Sequence, residues 1–214
     1  MDILGAIKRP FSSPRKFLVG VMLLLVPFVN ILTSFFAYGY MFYSTKAVFK
    51  KQKRLPEWNN WEELFVKGIL ISLITLIYIL PAAVLITSFG LAAVWAVVTE
   101  DLYNITAIGA GMLVAIAFTI LTLFALPGAI VNYVKENKYS KAFDIATILR
   151  KAFTAKYSKA WLFSMLYIMA AGIPLSYISY RMFSTIIVPF LAYSCMTFAL
   201  AITTLTLVAE AWDQ

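Results

Sequence analysis

Five long stretches without a single charged side chain divide this sequence: residues 17–45, 68–99, 102–134, 160–180 and 182–209. Each exceeds the roughly 18 residues at which an apolar run becomes a candidate for spanning a bilayer. Charged residues make up 13% of the chain, about half the share of a soluble domain, so the bilayer is the expected solvent. A backbone in hydrocarbon must satisfy its own N–H and C=O groups, which favours helices. The expected fold class is all-α: a multi-pass transmembrane helical bundle with proline-kinked helices and interfacial amphipathic helices, forming a single domain over residues 1–214.

The net charge of +8 comes from 18 Lys and Arg against 10 Asp and Glu. The basic residues gather at 8–16, 46–67 and 135–159, in short segments flanking apolar runs, which is the pattern of cytoplasmic loops. No nucleic-acid partner is expected. The positive-inside rule places all three clusters, and with them both termini, on the cytoplasmic side of the cell membrane. Residues 1–16 resemble the start of a signal peptide, but the apolar run continues without a small-residue cleavage site. They are expected to be an uncleaved interfacial segment.

With both flanks inside, residues 17–45 cannot cross once, yet 29 residues are short for two full crossings of about 20 each. Pro27 and Asn30 offer a break, so a broken hairpin over 17–52 is expected, with a short first helix and a longer returning one. The alternative is one tilted crossing that leaves the 46–67 loop outside. Runs 68–99 and 102–134 would each reach about 48 Å as helix, beyond a hydrocarbon core of about 30 Å, and must tilt, kink or protrude. Every run carries one proline, Pro27, Pro81, Pro127, Pro174 and Pro189, and kinks are expected there. Broken helices at membrane depth can line a cavity, although proline is also simply common in membrane helices.

The segment "LPEWNNWEELFVKGIL", residues 55–70, is unusually polar. Trp61, Leu64, Phe65, Gly68 and Ile69 fall on one helical face. Asn60 is placed as an N-cap with Glu63 completing a capping box, and Trp58 and Trp61 suit headgroup level. Residues 55–134 are thus a capped helix start followed by a membrane hairpin. The block 139–157 suggests a cytoplasmic amphipathic helix capped by Ser140. Lys141, Asp144, Thr147, Lys151 and Thr154 lie on one face, and Ala142, Ile145, Leu149, Ala152 and Phe153 on the other. A C-terminal membrane hairpin, 160–209, follows. The alternation of apolar run, polar block and apolar run in both halves also allows a diverged internal repeat.

The stretches "RPFSSPRKFLVG", "LLLVPFVNIL" with the later "YGY", "LPEWNNWEELFVKGI" and "LPGAIVNYVKENKYSKAFDIATIL" resemble, in order, the prokaryotic and mainly archaeal membrane proteins catalogued as domain of unknown function 4013. "LPEW…LFVKG" and "AFD" are the most specific elements. The resemblance implies an integral membrane protein and supplies no catalytic residue.

The residues themselves point away from catalysis. Histidine is absent, and the acids lie at run ends or in loops, leaving no convergent titratable set. One cysteine, Cys195, permits neither an internal disulfide nor a familiar Cys/His metal cluster and reads as packing. No cofactor is expected. No Asp, Glu, Lys or Arg stands within a run to mark an ion path. The small-residue series Ala107-Gly111-Ala115 and Ser88-Ala92-Ala96 allow close helix packing, internal or between copies. The expected function is a non-catalytic scaffold or accessory module that presents a basic cytoplasmic face to anionic lipid, a protein partner or a second copy. Trp58, Trp61, Glu63, Lys141, Arg150 and Lys151 are its candidate interface residues. The alternative is a permease or channel-like carrier for a small uncharged or lipid-like solute, with Asn30 as the candidate polar group of its cavity.

Overall fold

Residues 1–25, 30–99, 102–181 and 187–212 are described by a computed structural model of the chain, and no strand occurs among them. The helices are α1 (Ile3–Lys8), α2 (Pro14–Leu25), α3 (Asn30–Phe49), α4 (Trp61–Val98), α5 (Leu102–Glu136), α6 (Ile145–Ala152), α7 (Ala155–Arg181) and α8 (Ile187–Trp212), with 3₁₀ turns at Pro10–Ser12 and Tyr139–Phe143. Asp2 caps α1 by accepting from the Gly5 amide at 2.9 Å. Pro14 opens α2, where its fixed φ suits a first turn and its missing donor costs nothing.

Four helices are long and apolar enough to cross a membrane: Trp61–Val98, Ile105–Glu136, Ala155–Tyr177 and Val188–Trp212. Among the described residues, the remaining run contributes no fifth such helix. Its described parts are α2, of 12 residues, and α3, of 20, which pack on each other. Thr33 Oγ1 of α3 donates to the Leu23 carbonyl of α2 at 2.6 Å. Pro27 lies outside the described residues. Asn30 opens α3, but its side chain also lies outside them.

Helices α4, α5 and α7 continue through Pro81, Pro127 and Pro174. Pro189 is the third residue of α8 as described. The start of α4 falls at Trp61 as the sequence suggests, but Asn60 does not cap it. Asn60 adopts φ 54°, its side chain makes no capping bond, and its carbonyl accepts from Leu64 N at 2.9 Å. Asparagine is one of the few non-glycine residues that tolerates the left-handed region, so here it turns the chain rather than capping the helix.

The core lies towards the loop end of the bundle. Its fully buried large side chains include Tyr40 and Phe42 on α3, Tyr133 on α5, Ile148 on α6, Tyr157 on α7 and Phe198 on α8. α8 is the central element, packed against α2, α3, α5 and α7, whereas α4 rests on α3 and α5. In their most apolar windows 56% of α8 is buried, against 17% of α4 and 11% of α7. Leu91, Val94, Trp95, Leu113, Val114, Met169 and Ile173 are exposed. Helices apolar on their outward faces are built for lipid.

Glycines set the closest approach. A Cβ on Gly39 would overlap the Leu64 carbonyl, and one on Gly68 would overlap the Phe35 carbonyl, so α3 and α4 meet backbone to backbone at two points one turn apart. Part of each small-residue series is internal: Ala96 and Ala115 are buried and a Cβ on Gly111 would strike the Phe89 ring of α4, whereas Ser88 and Ala107 are exposed.

Candidate functional site

The polar segment before α4 is a strap across the bundle. Tyr40 Oη donates to Pro56 O at 2.8 Å, Lys16 Nζ donates to Leu55 O at 2.9 Å, and Lys16 pairs with Glu57 at 2.7 Å. The Trp58 ring stacks on Tyr40 with centroids 3.8 Å apart and planes 8° from parallel, and its Nε1 donates to Lys16 O at 3.0 Å. Trp58 is therefore half-buried against α2 and α3, where its N–H and its face both find partners inside the protein. Trp61, 46% exposed, meets the edge of Phe36. Glu63 is exposed in the first turn of α4, where the helix dipole favours a negative charge.

The block expected as one amphipathic helix is three pieces: the Tyr139–Phe143 turn, α6, and the first turns of α7. Asp144 rather than Ser140 supplies the cap, accepting from Thr147 N at 3.3 Å. A carboxylate that can also pair with Lys141, at 3.1 Å, outcompetes a hydroxyl. That ammonium, followed by the Thr147 amide, holds the Asp144 carboxyl below its ordinary range. The inward face also differs from the expected one. Ala142, Ile148 and Ala152 are fully buried, whereas Ile145 and Phe153 are 50% and 68% exposed. The segment is docked into the bundle: Asn132 Nδ2 donates to Lys141 O at 2.8 Å and Tyr78 Oη to Ala142 O at 2.7 Å. Arg150 points outward, and Lys151 lies over the Trp212 ring at 5.1 Å. Lys141, Arg150 and Lys151 thus share one short segment, while Trp58, Trp61 and Glu63 belong to the strap and the start of α4. Asn30, the candidate cavity group, has its side chain outside the described residues.

One residue not singled out in the sequence is Arg9, 5% exposed between α3 and α8. Its Nη1 donates to Thr206 Oγ1 at 2.8 Å and its Nη2 to Ser44 O at 2.7 Å. Burial lowers the guanidinium to about 10, which leaves it protonated at neutral pH. It lines a cleft of about 560 Å³ together with Lys51, Lys53, Thr206 and Glu210. Its only trace in the sequence is membership of a basic cluster, which gives no sign of burial. No group of three or more Cys, Asp or Glu able to hold a metal occurs among the described residues.

A family model described as "Protein of unknown function (DUF4013)" matches residues 21–180, from within α2 to the end of α7, including the strap and the docked 139–152 segment. No curated protein and no solved structure matches the chain.

Proposed function

This chain belongs to the DUF4013 family of proteins of unknown function, and from that premise we propose that it is a non-catalytic, multi-pass scaffold or accessory module of the cytoplasmic membrane. In this reading both termini and the basic loops are cytoplasmic, and the loop face receives anionic lipid, a protein partner or a second copy. The supporting observation is where the packing lies. The loop ends of α3, α5, α7 and α8 carry the core, and the rest of the long helices expose apolar side chains. Around that rigid end the cations Lys138, Arg150, Lys156 and Lys159 are exposed, an arrangement suited to an acidic surface.

Topology is tested by cysteine accessibility in intact cells, on a Cys195→Ser background with single cysteines at Asn59, Asn104 and Ser140. Protection of 59 and 140 with labelling of 104 is the expected result. Labelling at 59 overturns it. The module reading is tested next with the Lys141→Glu/Lys151→Glu variant. Loss of binding to anionic vesicles or to a co-purifying partner supports the reading, and unchanged binding by a monomeric protein sinks it.

A further inference from the structure

Arg9 is a buried cation without a counter-ion in contact. Thr206 Oγ1 and Ser44 O, its two acceptors, are neutral. Its Nε is buried with no partner, and no carboxylate lies within ion-pair distance of it among the described residues. A guanidinium carries five N–H donors, so Nε–H and one hydrogen on each terminal nitrogen remain without a protein acceptor. Desolvating a charge this far is costly unless acceptors replace the lost water. Glu210 does not supply them. It acts on Arg9 only through space, while its own Oε2 accepts from Asp2 N at 2.9 Å. The Asp2 carboxylate in turn is occupied at Gly5 N.

The opposite wall of the cleft brings two more cations. α3 ends in a reverse turn in which Lys51 N donates to Val48 O at 2.8 Å and Gln52 N to Ala47 O at 2.9 Å. Lys51 takes the left-handed position of that turn, φ 57°, which ordinarily selects glycine. A lysine is held there instead, and it lines the same cleft as Lys53 and Arg9. Both lysines are exposed, so the cleft has a buried planar donor set at its base and mobile ammonium groups at its rim.

The geometry points to a binding site for a phosphate-type oxyanion, with its oxygens taken by terminal N–H groups of Arg9 at the cleft wall rather than by the buried Nε, and its charge shared by Lys51 and Lys53. Arginine's fork matches phosphate oxygens in geometry, and lysine adds point charge. The volume falls within the roughly 300–1,000 Å³ of small-molecule sites, enough for a headgroup and its glycerol. The neighbouring Leu4 and Phe11 are exposed apolar side chains that bring this end of the chain against lipid, so an anionic lipid headgroup and a soluble phosphate are both sources of the same chemistry. Arg9 and Thr206 lie outside the span matched by the family, and the site stands whether or not the basic loop face holds a partner.

The test follows the thermal midpoint of the full chain in detergent. One arm titrates inorganic phosphate against chloride at matched ionic strength, and the other adds phosphatidylglycerol or phosphatidylcholine in mixed micelles. Saturable stabilisation by at least one anionic probe is expected. The Lys51→Gln/Lys53→Gln variant should need about tenfold more of it, while Arg15→Gln/Lys50→Gln, exposed cations that do not line the cleft, with the same loss of charge, should match the native chain. Response to inorganic phosphate identifies a soluble source, and response to phosphatidylglycerol alone identifies a lipid headgroup. Arg9→Lys should melt cooperatively but lose the response. If Arg9→Lys fails to fold, the rim pair decides. Absence of stabilisation by either probe, or equal weakening in the rim and control pairs, overturns the site.

Discussion

Trp161 donates its indole N–H to the Leu123 carbonyl at 3.0 Å, the acceptor that Pro127 leaves without its intrahelical donor. A proline four residues on has no N–H to give, and in a membrane interior an unpartnered carbonyl is costly. One turn earlier on α7, Tyr157 Oη donates to Phe124 O at 2.5 Å and accepts from Gly128 N at 3.1 Å, inserting itself into the next bond of the ladder. The break in α5 is therefore sealed by α7. Trp161→Phe should lower stability by about 1 kcal/mol, and Tyr157→Phe by about 1–3 kcal/mol. In a Pro127→Ala background the Trp161 substitution should lose most of its effect, because alanine at that position restores the backbone donor. Thermal midpoints in a double-mutant cycle measure this, and additive effects would contradict the arrangement.

The strap makes a separate prediction. Trp58 stacks on Tyr40 and is tied to Lys16, and the chain just before it carries exposed Lys53 and Arg54. Trp58→Ala should cost about 2–3 kcal/mol, less than the 3–5 of a fully buried tryptophan. Trp58→Phe, which keeps an aromatic face but removes the donor, should cost about 1 kcal/mol. Limited trypsin digestion should show cleavage after Lys53 and Arg54 accelerating in that order, Phe then Ala. Equal rates in all three proteins would mean that the stack does not hold the strap.

Acid should loosen α6. The Asp144 carboxyl is held below its ordinary value by Lys141 and by the Thr147 amide. A depressed pKa means that the contribution is present above the ordinary value near 3.8 and is lost as pH falls through the folded-state value. Amide exchange of α6 should therefore quicken under strong acidification. Asp144→Asn keeps a capping side chain but removes the titration, so its exchange should lose that acid dependence.

The long uncharged runs made the four candidate spans legible, because a bilayer imposes length and apolarity directly on sequence. The basic residues on both sides of the 29-residue run argue against one crossing, but Pro27, where the break is expected, lies outside the described residues. Finer assignments failed where one residue type serves two purposes. Asn60 has the polarity of a cap but the tolerance for φ 54° that a turn requires. Ile145 and Phe153 carry the apolar period of a buried face, yet they are exposed, because in a membrane protein apolarity does not distinguish protein contact from lipid contact. Arg9 was hidden for the converse reason. Its burial depends on Thr206 and Ser44, and a partner 197 residues away leaves no local signal.

The glycines of "YGY" and "LFVKG" separate packing from propensity most sharply. Gly39 and Gly68 each face a backbone carbonyl of the opposite helix, a group that cannot rotate away as a side chain can. Gly39→Ala and Gly68→Ala should therefore exceed the about 1–3 kcal/mol of ordinary overpacking, forcing α3 and α4 apart. Gly90 and Gly109 lie mid-helix with nothing within 4 Å of an added Cβ, so alanine there should be neutral or stabilise by about 0.5–1 kcal/mol through helix propensity. Thermal midpoints and the yield of monodisperse protein distinguish the two classes. A Gly39→Ala protein as stable as Gly90→Ala would show that the two helices do not touch through their backbones, and the closest contact of the bundle would have to lie elsewhere.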